Sequence, residues 1–431
     1  MTSIETIYGC FIKSTQVSTD SRKIENGCIF FALKGANFNG NKYAHDALKK
    51  GAAYAIIDEA EYATDDKILL VEDVLTALQQ LAHYHRKQLG LPILAITGTN
   101  GKTTTKELIS TVLAKKFKVS FTQGNLNNHI GVPLTLLAMD KNTEFGVVEM
   151  GANHPGEIAD LCKIADPDFG IITNIGRAHL EGFGSFEGVI KTKGELYDYI
   201  GKKNGVIFYN ADNKLLEEIG EALPKRISYG KENASFTGET IQSPPFIHVK
   251  AIFKKGVLYL NSNLIGDFNF ENILAAACIA NYFDVDPLKI QQAIKEYQPT
   301  NNRSQLINKG ELKIIMDAYN ANPTSMAASI ESFLENLKGD KYLILGDMLE
   351  LGEYSEDEHT KIVKLIPEDL KSNTFLVGKE FTKVNTGDSI KSFIHVDELC
   401  AYLRSEPIKN GNILIKGSRG IQLEKVLDLL N

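Results

Sequence analysis

Residues 96–104 read Ile-Thr-Gly-Thr-Asn-Gly-Lys-Thr-Thr and hold the densest chemical information in the chain. An apolar run from Pro92 to Ile96 leads into Gly98, Thr99, Asn100 and Gly101, and helix-forming residues begin at Lys102. A glycine-rich turn between a strand and a helix offers backbone N–H groups and a helix N-terminus to an anionic phosphate chain. There Lys102 would meet the terminal phosphates of ATP as a point charge. Thr103 would set its hydroxyl on Mg²⁺, with Thr104 beside it. The commoner pattern has its first glycine at position 96; this chain has Ile96, so the loop is a shortened variant.

Other segments suit the same chemistry. Glu149 ends the apolar run that starts at Phe145, and a carboxylate at the C-terminal end of a buried parallel strand lies where open α/β sheets bind ligands. A hard cation such as Mg²⁺ takes oxygen ligands of that kind. His179 lies on a glycine-rich stretch, 173–184, after another strand; a structural and a catalytic role fit it equally. Asn125, Asn127 and Asn128 could supply neutral donors to a polar ligand or simply build a turn. Asp317, Tyr319, Asn320 and Asn322 precede Pro323, a residue suited to a helix start. Lys416 and Arg419 follow the last strand and would share an edge with Asp317, either solvated or over nucleotide phosphates.

The elements needed to position these groups make an α/β protein of three domains. Residues 1–90 form a small α/β module, with strands at Cys28–Leu33 and Ala53–Ile57 and an amphipathic helix from Val74 to Gln88, closed by Gly90 and Pro92. Residues 91–308 alternate strands (Phe145–Met150, Phe169–Thr173, Val206–Tyr209) with helices, the pattern of a mostly parallel sheet of ATPase type. A hairpin over Ile247–Phe253 and Val257–Asn261, turning at Lys254-Lys255-Gly256, and an alanine-rich helix over Asn272–Phe283 complete that domain. Residues 309–431 alternate again, with strands at Lys313–Met316, Tyr342–Leu345, Phe375–Val377 and Ile413–Lys416, as in a Rossmann-like domain. No G-x-G-x-x-G follows its first strand, which argues against a dinucleotide binder.

Composition narrows the partners. The 431 residues carry a formal charge of −7, which argues against nucleic acid or an anionic membrane as partner. No basic segment followed by an apolar run opens the chain, and no apolar stretch is long enough to span a bilayer. The five cysteines are scattered without a C-x-x-C pair, as expected of reduced thiols in a cytoplasmic protein.

Taken together, segments 98–104, 124–133, 178–185, 317–326 and 345–352 resemble the Mur ligases over essentially the whole length. These are the ATP-dependent amide-forming enzymes of peptidoglycan precursor synthesis. The first segment is also shared by folylpolyglutamate synthases; 124–133 and 317–326 are characteristic of the branch that adds D-alanyl-D-alanine. The resemblance implies a ligase that joins D-alanyl-D-alanine to a UDP-N-acetylmuramoyl-tripeptide through an acyl phosphate. It implies that Lys102, Glu149, His179 and Lys193 are the catalytic set and that Thr103, Glu149, His179 and Lys193 hold two Mg²⁺ ions. Lys193 would carry a CO₂-derived carbamate, with Lys191 the competing register. ATP would be bound by residues 98–104 with Asn269, Asn272, Arg303 and Asp317. Asp20, Ser21, Arg22, Lys34 and Gly35 match the segments that hold the UDP-sugar. Asn125, Asn127, Asn128, Tyr319, Asn320 and Asn322 would also face substrate.

The protein implied is a cytoplasmic monomer. Two departures from the branch stand out, Asn302 before Arg303 and Asn39-Gly40-Asn41-Lys42-Tyr43 in the first domain. The ligase that adds the third peptide residue usually has Asp-Tyr-Ala-His where this chain has Asp-Ala-Tyr-Asn. A folylpolyglutamate synthase would leave the first domain unexplained, and a non-catalytic ATP-binding scaffold has no need of a second metal site.

Overall fold

The computed structural model describes residues 1–430 apart from Lys254, Lys255, Asn301, Thr386 and Asp388, with Gln242 and Ser243 described in backbone only. The expected hairpin turn at Lys254-Lys255 therefore lies outside the described residues. Three layered α/β units follow one another, each around its own parallel or mostly parallel sheet.

The first sheet has four parallel strands, ordered Val17–Ser18, Ile29–Phe31, Tyr54–Ile57 and Ile68–Leu70. Helix Val74–Leu89 leaves it toward the next unit. Asp73 caps the helix by accepting from Thr76 N (2.7 Å), and Gly90, at φ 62°, ends it. Its stripe of Val74, Ala77, Leu78, Leu81 and Ala82 is buried against the first unit and the central helices.

The central sheet has nine strands. Strand Ile93–Thr97 lies between Phe145–Glu149 and Phe169–Ile172, in register Ile96↔Glu149 and Ile96↔Ile171. The chain winds to one side of this strand first and to the other afterwards, making a topological switch point at its C-terminal end, where a ligand crevice opens. Val206–Asn210, Arg226–Gly230 and Phe236–Ser243 continue the parallel run, and Phe246–Phe253 with Gly256–Ile265 add the expected antiparallel hairpin. Helix Asn269–Tyr282 is apolar nearly all round because it is sandwiched between helix Lys102–Leu113 and the sheet. It begins three residues before the expected start.

The third sheet runs Gln305–Lys309, Glu311–Asp317, Asn410–Lys416, Lys341–Gly346, Thr374–Val377 and Lys391–Phe393, parallel except for the first pair. Gly310, just past the boundary expected between residues 308 and 309, is the hairpin turn joining the first two of these strands, at φ 55°. The third layer therefore starts near residue 305 rather than 309. A glycine turn inside a hairpin and one between domains look alike in sequence.

Candidate active site

The phosphate loop is built by exclusion of side chains. Gly98 sits at φ 143°, and a Cβ there would come within 2.0 Å of Thr173 Oγ1; Gly101 sits at φ 76°, 2.7 Å from Asn272 Oδ1 by the same construction. Neighbouring groups hold the loop. Asn100 N donates to Asn174 Oδ1 (2.9 Å), Thr173 Oγ1 donates to Asn100 O (2.6 Å), and Thr99 N donates to Asn174 O (2.9 Å). Helix Lys102–Leu113 starts with no side chain capping its first turn, leaving N–H groups and the positive end of the helix dipole toward the crevice. Lys102 Nζ donates to the carbonyls of Gly98 (2.7 Å) and Thr99 (3.0 Å). Burial lowers its pKa to about 8, Glu149 opposing and Arg303 adding to the shift.

Glu149 lies across from this turn, 1 % exposed. Thr103 Oγ1 donates to its Oε2 (2.9 Å) and Asn127 Nδ2 to its Oε1 (2.8 Å). Lys106 Nζ stands 3.6 Å from Oε2. Sequence reasoning missed Lys106, although its position one turn beyond Lys102 on the same helix face was a usable signal. Asn272 and Asn269 form a relay behind the loop: Thr105 Oγ1 donates to Asn272 Oδ1 (2.9 Å), and Asn272 Nδ2 donates to Asn269 Oδ1 (2.8 Å). The expected amide patch divides. Asn125 and Asn127 line the cavity, whereas Asn128 spends its side-chain oxygen on the N–H groups of Ile130 and Gly131 as a turn residue, its other atoms still reaching the cavity wall.

His179 holds a left-handed backbone, φ 52°, and its Nδ1 meets Glu350 Oε2 of the third unit. Glu350 is left-handed too, φ 64°. Two non-glycine residues in that region facing each other mark a locally strained junction between units. Burial lowers the His179 pKa, Glu350 partly restores it, and the Lys102 and Lys193 cations lower it further. Lys193, on helix Phe186–Lys202, is 3 % exposed, with its Nζ 5.4 Å from the centre of the Phe183 ring. Burial first, then the charge of Lys102, brings its pKa to about 7. Lys191, two residues away, faces solvent.

The third unit supplies the opposite wall. Asp317 and Lys416 end adjacent strands in register and form an ion pair; Asp317 also accepts from Ser329 Oγ (3.1 Å) and Ser304 N (3.2 Å). The shared edge expected for these loops is present, and Lys416 is buried rather than solvated. The Arg303 guanidinium lies 3.9 Å from the centre of the Tyr319 ring, with that of Arg419 at 5.5 Å. Asn322 caps helix Pro323–Asn336 and donates from Nδ2 to Asn100 Oδ1 of the phosphate loop (2.7 Å). Asn320 lines the cavity.

Most of these groups line a cavity of about 1430 Å³ walled by all three units; Lys106 and Lys193 are buried behind it and are not among its lining residues. The first unit contributes one face of helix Val74–Leu89, including Gln80, His83 and Tyr84, which sequence reasoning did not single out. Asp20, Ser21, Arg22, Lys34 and Gly35 are not among its lining residues. Arg22 grips Asp20 through two side-chain bonds of 2.9 Å, and Lys34 pairs with Asp58 (2.9 Å). Among the described residues no three His, Cys, Asp or Glu side chains form a metal cage. The donor set suits a cation that takes its remaining ligands from phosphate oxygens, as Mg²⁺ does.

The chain matches the Mur ligase middle domain over residues 96–280, the glutamate ligase domain over 302–419 and the family's catalytic domain over 13–86. It is 36 % identical to the UDP-N-acetylmuramoyl-tripeptide–D-alanyl-D-alanine ligase of Bacillus subtilis over 95 % of this chain and 92 % of the relative. Among solved structures it superimposes on MurF from Acinetobacter baumannii with a TM-score of 0.88 and 30 % identity, covering 99 % of this chain and 98 % of the other. The MurF ligase of Thermotoga maritima in complex with ADP gives a TM-score of 0.85 and 27 % identity over 97 % of both chains.

Proposed function

The chain belongs to the Mur ligase family, and on that footing we propose that it is an ATP-dependent ligase that joins D-alanyl-D-alanine to UDP-N-acetylmuramoyl-tripeptide in peptidoglycan precursor synthesis. The observation that carries the chemistry is the uncapped glycine turn, with Lys102, Thr103 and Glu149 facing a cavity walled by three units.

A carboxylate and an amine do not condense in neutral water, because hydroxide leaves poorly. The tripeptide's terminal carboxylate attacks the γ-phosphorus of ATP, the bond to the β,γ-bridging oxygen breaks, and ADP departs. The resulting acyl phosphate is attacked by the free amine of D-alanyl-D-alanine. A tetrahedral intermediate then expels phosphate, and the amine loses a proton to solvent. Lys102 and the N–H groups of the turn stabilise charge on the transferring group. Thr103 and Glu149 would hold Mg²⁺, which when bound would neutralise charge on the phosphate oxygens. Asn269 and Asn272 keep the turn in shape, and Arg303 and Asp317 bound the nucleotide from the far side. Tyr319, Asn320, Asn322 and Glu350 bound the space open to the incoming dipeptide, with Asn125 and Asn127 on the peptide side. The segments around Asp20–Arg22 and Lys34–Gly35 would receive the UDP-sugar at the far end of a long substrate.

We place a carbamate on Lys193, formed when the neutral amine adds CO₂ and releases a proton. Its burial and near-neutral pKa support that reading, and with His179 the carbamate would serve a second Mg²⁺. The proposed setting is the cytoplasm, as a monomer of three domains bounded near residues 90 and 304; all five cysteines are free, and no described helix is long and apolar enough to cross a membrane.

Tripeptide labelled with ¹⁸O in its terminal carboxylate tests the reaction. One labelled oxygen should appear in the released phosphate for each amide formed. Unlabelled phosphate would exclude the acyl phosphate.

A further inference from the structure

Lys106 has no part in the reaction described so far, yet it is 1 % exposed in the middle of helix Lys102–Leu113. Its Nζ lies 3.6 Å from Glu149 Oε2 and 4.0 Å from Glu107 Oε1, while Glu107 Oε2 accepts from the Tyr297 hydroxyl (2.7 Å). Burying an ammonium is costly, and a leucine or methionine would fill the same helix position without that cost. What the lysine supplies is charge. Glu149 is the nearer of its two partners, and the remaining contacts of that carboxylate, from Thr103 and Asn127, are neutral.

We propose that Lys106 is a positioning residue and built-in counter-charge for Glu149, making the carboxylate available to a divalent cation only when that cation arrives with a nucleoside triphosphate. In the nucleotide-free protein Lys106 balances Glu149, and Lys102 and Arg303 outweigh the second carboxylate, Glu107, so the group carries no net negative charge. A bare divalent cation therefore meets no net attraction. A triphosphate seated on Lys102 reverses the local balance and contributes oxygen ligands of its own. Metal and nucleotide are thereby coupled through one buried lysine, and the bare cation is kept from settling in the site ahead of its nucleotide.

The inference rests on the reading of Glu149 as a metal ligand, and the test separates the two. Mn²⁺ is titrated into full-length protein and followed by electron paramagnetic resonance, with and without a non-hydrolysable ATP analogue. Wild type should bind Mn²⁺ tightly only with the analogue. Lys106→Met should raise Mn²⁺ affinity in the nucleotide-free protein by at least about tenfold, because a like charge beside the site is gone. Adding Glu149→Gln to that variant should abolish the gain. Wild type binding bare Mn²⁺ as tightly as it does with the analogue would overturn the proposal, and needs no variant to fold. So would a Lys106→Met protein that melts as wild type does but shows no gain. If Glu149→Gln alone keeps full analogue-dependent Mn²⁺ binding, the assignment of Glu149 as ligand fails instead.

Discussion

Lys102 and Lys193 are both weakened as bases by burial, and the proposed reaction uses them in opposite ways. Lys102, near pKa 8, regains its full charge beside phosphate, whereas Lys193, near pKa 7, has a substantial neutral fraction at neutral pH with which to add CO₂. Lys102→Ala should lower turnover by about 10²–10³-fold or more while the melting temperature stays put. Near-normal ATP consumption by that variant would end its assignment. Lys193→Ala should be impaired and partly rescued by a short carboxylate, and Lys191→Ala should behave as wild type. For the native enzyme, dependence on added bicarbonate should steepen as pH falls through about 7, where the Lys193 amine becomes protonated. Motif spacing singled out Lys102 and Thr103, and a strand-end carboxylate singled out Glu149; the structure brings the three together. Lys106 escaped because a lysine inside a helix usually faces solvent; its place one turn beyond Lys102 hinted at the shared face, and packing shows that it is buried there.

Helix Val74–Leu89 illustrates how an element can be legible while its job is not. Its cap, its stop and its apolar stripe are all local properties and were readable. That its opposite face would wall the cavity depends on contacts with residues more than fifty positions away. The helix is fastened by Arg86, which reaches Ala165 O (3.2 Å) and Asp168 Oδ2 (2.8 Å), and by Lys87, which pairs with Asp166. Asp166 also takes Lys203 (2.7 Å) and the Tyr199 hydroxyl (2.9 Å), and these partners hold its carboxyl below the usual range against an opposing desolvation. A depressed folded pKa stabilises above the unfolded value, about 3.9, and that contribution is lost as pH falls further. Asp166→Asn should therefore cost about 1–3 kcal/mol at pH 7 and flatten the acid limb of a melting-temperature profile below about pH 4. An unchanged acid limb would show that another carboxylate dominates. Strands Arg226–Gly230 and Phe236–Ser243 went unread for a related reason. Both are half polar, and they gain strand geometry from their neighbours in the sheet rather than from their own pattern.

The arrangement of the units around one cavity explains why so long a chain is needed for one amide bond. Asn322 to Asn100 and Glu350 to His179 tie the third unit to the central one across the phosphate turn, so the cavity is complete only with both units in place. Glu350→Ala should leave nucleotide binding nearly intact and lower kcat, with a larger radius of gyration in X-ray scattering of the ATP-analogue complex; an unchanged radius would assign the loss to chemistry instead. The decisive measurement is ADP and phosphate release from purified protein supplied with UDP-N-acetylmuramoyl-tripeptide and a panel of amines. Turnover should appear with D-alanyl-D-alanine and remain at background with diaminopimelate, lysine or glutamate. Turnover with one of those amino acids on a shorter UDP-linked peptide, and none with the dipeptide, would contradict the account.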